Sequence, residues 1–333
     1  MFIRATLSSV LAAGVALQAA GPGFRVVKEI QIGGEGGWDY LVADAATHRL
    51  YVSHATKIVV ADTETGAIVG EIPDTPGVHG IALAPELGRA FTSNGRANSS
   101  TIIDLKTLAK IATVATGVNP DSIRYLADRK EVWTFNHSGG SITVFDPMTG
   151  AVGATIEVGG ALEEAVEDAD AGRVYVNVED KNAIAVVDTK THRVVTSWSI
   201  AECDGPTGLA FDETNHLLLA ACDGSTAVVD TRSGQTLTHF ATATRVDGNG
   251  FDPATKLAFA SSGTGVLTIA HEDAPDRFTV VQTLQTQPSG RTMYLDAATH
   301  RVYVPVGTTT PGSTGRPQVT AGTMKVLVLA AAQ

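Results

Sequence analysis

From about residue 37 the chain is built of apolar runs five or six residues long, separated by short polar turns, with no 3.6-residue periodicity. The runs KIVVAD, STIIDL, SITVFD, AIAVVD and TAVVD each lead into a turn, and AIVGEI, KIATVA, VGATIEV and VVTSWSI each leave one. β-Branched and aromatic residues in short runs, broken by Asp, Thr and Gly, predict strands rather than helices. A second pair of runs precedes each of these. It reads DYLVAD then RLYVSH in the first unit, and RTMYLD then RVYVPV in the last.

The pattern repeats. Asp62, Asp104, Asp146, Asp188 and Asp230 open equivalent turns, each 42 residues after the one before. Asp in the first position of such a turn accepts backbone N–H groups two and three residues on, and a following Gly supplies a positive φ. Four strands per ~42 residues is the arithmetic of a propeller blade. Seven units start near residues 37, 77, 118, 161, 204, 246 and 288. The seventh lacks a fourth strand, and an orphan run, FRVVKEIQI (24–32), precedes the first. The expected fold is therefore all-β: a seven-bladed β-propeller of four-stranded antiparallel blades. Its ring closes when the N-terminal strand pairs with the C-terminal one, which removes exposed sheet edges.

The RLYVSH, RVYVNV and RVYVPV strands, the following apolar run ending in Asp, and the ~42-residue period resemble the YVTN-repeat, YncE-like propeller family across nearly the whole chain after residue 24. That family is similar to lactonase-type and cytochrome-associated propellers, and its members range from scaffolds to enzymes. Such motifs specify fold far better than function.

The first residues change the picture of where the protein works. MFIRATLSSVLAAGVALQAAG (1–21) has one Arg, then a short apolar stretch, then small residues, which is a secretory signal pattern. Its cut site must fall before Phe24 if that strand closes the ring, leaving 24–333 as one domain. A periplasmic or secreted location follows. No later segment has eighteen uninterrupted apolar residues, so no transmembrane segment is expected in the mature chain. The net charge of −11 becomes −12 once Arg4 is removed with the signal. Affinity for nucleic acid rests on Lys and Arg meeting phosphates, so no nucleic acid partner is expected, including the DNA that one branch of the family is described as binding. No CxxCH haem motif, Walker loop, HExxH, GxSxG elbow or dinucleotide fingerprint is present, and neither haem nor nucleotide is expected. The glycine-rich segment Gly33–Gly37 joins two strands and opens no helix.

The resemblance implies that the first strand of each blade lines a central axis, with its entry loop and the loop between strands two and three on one face. Aligned on that strand, one slot holds Asp39, His79, Asp121, Glu163, Thr207, Asp247 and Arg291, spaced by 40, 42, 42, 44, 40 and 44 residues. A buried strand start does not collect four carboxylates, a His and an Arg without reason, because unpaired buried charge is costly. Two readings stand: a funnel that binds a cation or a hydroxylated small molecule, and a solvated channel whose charges pair together, Arg291 bridging Asp39 and Asp247. Asp39, His79, Asp121 and Glu163 are the candidate ligands for one divalent metal ion, the first three being consecutive around the ring. The loops between strands two and three add His54, Asn94, Asn136, His137, Glu179, Asp180 and Asp223. His54 and His137 are candidate acid–base groups or solvated loop histidines. Turns on the other face carry His48, His192, His216 and His300, to which we assign no chemistry. The corresponding loop of the last blade, GTTTPGSTGRPQVTAG (307–322), is long and rich in Gly, Pro, Ser and Thr, and reads as either a lid over the funnel or a tolerated insertion.

Cys203 and Cys222, the two cysteines, map to one face of blade five. A disulfide, two free thiols and a soft-metal pair are the alternatives, and a secreted chain selects the disulfide. The leading functional expectation is a ligand- or protein-binding module that uses the funnel face. A metal-dependent hydrolase, lactonase or lyase and a cell-envelope interaction scaffold are the alternatives.

Overall fold

A computed structural model describes residues 23–311 and 318–332. The signal-like segment 1–21 and the middle of the 307–322 loop lie outside the described residues. Seven four-stranded antiparallel sheets form the blades, and each pairs its strands in chain order except the last. Blade one comprises Leu41–Asp44, Arg49–His54, Lys57–Asp62 and Ile68–Ile72. Blade seven orders Tyr294–Asp296, Arg301–Val306 and Lys325–Ala331, and takes Phe24–Gln31 as its outer strand. Phe24 pairs with Ala331 and Gln31 with Lys325, so the ring is closed by the two ends of the chain. The fold is a seven-bladed β-propeller.

The seven first strands touch one another in sequence, and the seventh touches the first, so they surround the axis. Side chains of the middle strands fill the space between blades. Tyr51, Phe91, Trp133 and Tyr303 from equivalent second strands are all buried. This is why those strands read as nearly continuous apolar runs: both of their faces are covered.

The outer strands solve a different problem. Each carries one extra residue opposite its neighbour: Val27, Val69, Ile111, Gly153, Val195, Leu237 and Val281. All but the glycine are exposed apolar side chains. A bulge at the same place in every outer strand breaks the flat ladder that another chain would pair with.

The five repeated aspartates behave alike. Asp62, Asp104, Asp146 and Asp188 each accept backbone N–H groups two and three residues on, plus the hydroxyl of Thr65, Thr107, Thr149 or Thr191. Asp230 accepts Arg232 N–H and the Ser233 hydroxyl. Among the turn histidines, His48, His192, His216 and His300 all sit at left-handed φ. Two of them do more than face solvent. His192 Nε2 lies 3.0 Å from Glu131 of blade three, and His300 Nδ1 lies 2.7 Å from buried Asp252 of blade six. Each staples its blade to the preceding one.

Cys203 and Cys222 form a disulfide, with Cα atoms 5.3 Å apart, and both are buried in the apolar cluster between blades four and five. No helix among the described residues is long and apolar enough to cross a membrane.

Candidate functional site

In blades two, three, four and six the slot residue is the second residue of its first strand, and in blades two, three and four it lies inside a register shift between the first and second strands. The shifts fall between Val78 and Ile81, Pro120 and Ile123, and Leu162 and Ala165. In blade six the shift falls between Val246 and Gly248, on either side of Asp247. A bulge turns a side chain out of the alternating pattern. The result is visible at Glu163 and Glu164, which are adjacent yet serve different places.

Neighbouring blades then pin the slot backbone. Ser93 Oγ accepts Gly80 N–H at 2.9 Å and donates to the Asp121 carbonyl. Ser122 Oγ donates to Glu163 O at 3.1 Å, and Thr292 Oγ1 to Asp39 O at 2.8 Å. Asn177 Nδ2 donates to the carbonyls of Thr207 and Gly208, both at 2.9 Å. These hydroxyls and amides are buried. They hold Asp39, Asp121, Glu163 and Thr207 against the preceding blade, and sequence reading passed over them because Ser, Thr and Asn in a strand look unremarkable.

The slot side chains meet in one arc. Arg291 pairs with Asp247, and its Nη2 lies 3.3 Å from Asp39 Oδ1. Asp39 Oδ2 lies 2.6 Å from His79 Nδ1, which lies 3.3 Å from Asp121 Oδ1. His137, at the end of the second strand of blade three, places Nδ1 2.8 Å from Glu163 Oε1. That approach is close but out of line for a hydrogen bond, and Asp121 Oδ1 is likewise buried with no hydrogen-bond partner. Six of the seven slot positions carry charged or ionisable groups in the arc, and Thr207 instead turns its hydroxyl to the Val246 carbonyl at 2.9 Å. Two groups of ligand atoms lie within 4.8 Å of one another: Asp39, His79 and Asp121, and Asp121, His137 and Glu163.

The electrostatics follow from burial and from the shortage of positive charge. Burial raises Asp39, but Arg291 and the hydrogen bond to His79 outweigh it and hold this carboxyl below its ordinary value. Burial, then the charge of Asp39, push Asp121 well above the usual carboxylate range. Asp247 is also raised, by burial, against the pull of Arg291. Burial lifts Glu163 to about 7. Burial opposes protonation of His79, yet Asp39 and Asp121 carry it to about 9. Glu163 carries His137 to about 9.

His79 owes its placement to Gly95, where a methyl group would meet Nε2 at 2.6 Å. His54 is placed elsewhere. It is 1% exposed, with Nδ1 3.2 Å from Gly37 O and Nε2 without a partner beneath Gly34. It is neither a solvated loop histidine nor part of the arc. The loop Gly33–Gly37 folds over it, and any side chain at Gly34 would strike Nε2 at 2.5 Å. Asn94 and Asn136 are buried residues that end the second strands of their blades, bonded to Thr101 and Thr143 at 2.9 and 3.0 Å. Asp180 caps the Ala161 N–H in the entry loop of its own blade, and Asp223 caps the Arg245 N–H in the entry loop of the next blade. The 307–322 loop opens as a short ribbon, Thr309–Thr310 paired with Gln318–Val319, and Gly307 abuts the Trp38 ring. Trp38 thus packs under this loop.

Beyond the arc, the axis encloses a cavity of about 230 Å³ to which all seven blades contribute. Its polar wall includes Arg124, Glu164, Tyr40 and Asn249. Arg124 Nη2 lies 2.5 Å from Glu164 Oε1, and its Nε donates to Ala165 O at 2.7 Å. Burial raises Glu164 despite Arg124. Sequence reading missed this pair. The signal was present in two consecutive glutamates at one strand start, where only one can occupy the slot.

Fold and site together define a β-propeller with a charged ring at one end of its axial cavity. No protein-family model matches the chain, and no curated protein matches it.

Proposed function

We propose that this chain is a periplasmic or secreted binding protein of the YVTN-repeat, YncE-like kind, whose slot ring takes a small cationic ligand, a divalent metal ion foremost. The observation that carries this reading is the charge balance of the arc. Four carboxylates, Asp39, Asp121, Glu163 and Asp247, share one permanent cation, Arg291. Without a ligand the deficit is met by protonating His79, His137 and the weaker carboxyls, and a bound cation replaces those protons. The signal-like N-terminus and the disulfide support the compartment.

The test is calorimetric titration of residues 24–333 with Mn²⁺, Zn²⁺ and Ca²⁺ at pH 7.5, with melting curves beside it. Binding to the wild type that is weakened in His79→Gln supports the reading. No heat and no melting shift with any of the three would sink it and turn the search to protein partners, the scaffold reading.

One observation favours a second reading, that of a metal-dependent hydrolase or lactonase. Glu163 ionises near 7 beside His137, which suits proton transfer at neutral pH. Turnover of a lactone panel that depends on added metal and falls in Glu163→Gln is the outcome that would raise it above simple binding.

A further inference from the structure

Resting on that cation reading, we propose that the ring holds two divalent ions rather than one, with the Asp121 carboxylate bridging them. The two ligand groups share only Asp121: Asp39 and His79 stand on one side of it, His137 and Glu163 on the other. Each side offers one imidazole Nδ1 and one carboxylate besides the shared group. A carboxylate has two oxygens and can give one to each ion, which is how two metals are held about 3.5–4 Å apart.

The independent sign of a missing ligand is Asp121 itself. It is 8% exposed, and its Oδ1 is buried without a hydrogen-bond partner. Its nearest positive neighbour is His79, at 3.3 Å. A buried carboxylate oxygen left without a hydrogen bond is costly. Asp39 has Arg291 and His79, and Asp247 has Arg291, whereas Glu163 has only the out-of-line His137, whose Nδ1 is likewise left without a hydrogen bond. Asp121 stands between the two histidines and is fully matched by neither. Its backbone is also fixed, since the carbonyl accepts Ser93 Oγ from the preceding blade.

Charge points to the same count. Asp39, Asp121, Glu163 and Asp247 against Arg291 leave an excess of negative charge that one dication does not cancel and two slightly exceed, the remainder being met by hydroxide or an anionic group of a ligand. The donor set selects the ion. One nitrogen and carboxylate oxygens on each side suit Mn²⁺ or Zn²⁺ better than Ca²⁺, which prefers an all-oxygen shell. With three protein ligands each, both ions would keep open coordination positions.

Mn²⁺ distinguishes the outcomes, because two ions bridged by a carboxylate are exchange-coupled and give a different paramagnetic resonance spectrum from isolated ions. Residues 24–333 are dialysed against Mn²⁺, counted by elemental analysis and measured by that spectrum. We expect two ions per chain with a coupled signal. His137→Gln and Glu163→Gln should each leave one ion, as should Asp39→Asn, and Asp121→Asn should weaken both by about tenfold or more. His79→Gln tests the Asp39 side a second time, because Asp39→Asn also removes a partner of Arg291. Circular dichroism of each metal-free variant checks the blades. One ion per chain overturns the two-ion site while the cation reading survives. Two uncoupled ions overturn the bridge. No bound Mn²⁺ overturns this proposal and its parent together.

Discussion

Two sets of acidic residues recur along this chain at nearly the same period, and the fold treats them in opposite ways. The turn aspartates, Asp62, Asp104, Asp146 and Asp188, are satisfied mainly within their own four residues and otherwise within their own blade. Backbone N–H groups of Thr65, Thr107 and Thr149 hold the first three below the ordinary value, and Thr191 with Arg173 takes Asp188 to about 2. The slot acids are buried and depend on groups from other blades. Burial raises Asp121, Glu163 and Asp247, and only Asp39, between Arg291 and His79, is held down. A local partner makes an acid a structural element. A partner 40 residues away leaves it poised to exchange that partner for a ligand.

The harshest way to break the comparison is to remove the one permanent cation of the arc. Arg291→Met strands Asp39 and Asp247 in a buried place, and we expect roughly 3 kcal/mol of lost stability at pH 7.5 in urea denaturation, toward the low end for a buried pair because the Arg is partly exposed. Part of that loss should return at pH 5, because a stranded carboxylate is relieved of its unpaired charge by taking up a proton. A loss that is the same at both pH values would mean that Arg291 acts by packing alone.

Reducing the disulfide should cost about as much, ~3 kcal/mol for a separation of 19 residues. It anchors blade five, the blade whose slot carries Thr207 and no charge. The pH dependence of stability should therefore keep its shape in the reduced protein and only shift downward. A changed shape would show that the arc needs blade five held in place.

The pH profile itself sharpens the contrast. Groups whose folded pKa is raised stabilise the fold below their unfolded value and lose that contribution as pH rises through the folded one. Glu163 therefore loses it between 4.5 and about 7, and His79 and His137 between 6.5 and about 9. Asp188 works the other way, contributing above 3.8 and losing that contribution as pH falls toward 2. We expect the urea midpoint of the metal-free protein to peak near pH 4 and fall on both sides, by the arc on the alkaline side and by the turns on the acid side. His79→Gln should flatten only the alkaline limb.

The smallest effects differ in sign. Asp121→Asn removes a charge that burial and Asp39 disfavour, and we expect a gain in stability at pH 7.5 without metal. Asp188→Ala removes a turn cap and should lose ~1 kcal/mol. Equal losses at the two positions would end the distinction.

Much of the fold was legible because blades repeat locally. A strand, an Asp-capped turn and another strand are written within 42 residues, and seven copies announce a closed ring that only the pairing of Phe24–Gln31 with Lys325–Ala331 completes. The slot was legible as an alignment of Asp39, His79, Asp121, Glu163, Asp247 and Arg291. His54 was misjudged because a histidine ending a strand reads as a loop residue until the Gly33–Gly37 segment is seen to cover it.

The sequence by itself determined the blade count, the route of closure, the capped turns and which residue types converge on the axis, because the first two follow from counting repeats and the missing strand, and the others from chemistry at one position of each repeat. Tertiary structure alone decided which carboxylate finds a partner. Whether Asp121 is matched, Glu163 meets His137 or Glu164 turns instead to Arg124 depends on bulges and on distances between blades. Electrostatic energy in a buried site varies with ångströms between residues some 40 positions apart, and no local pattern encodes those distances.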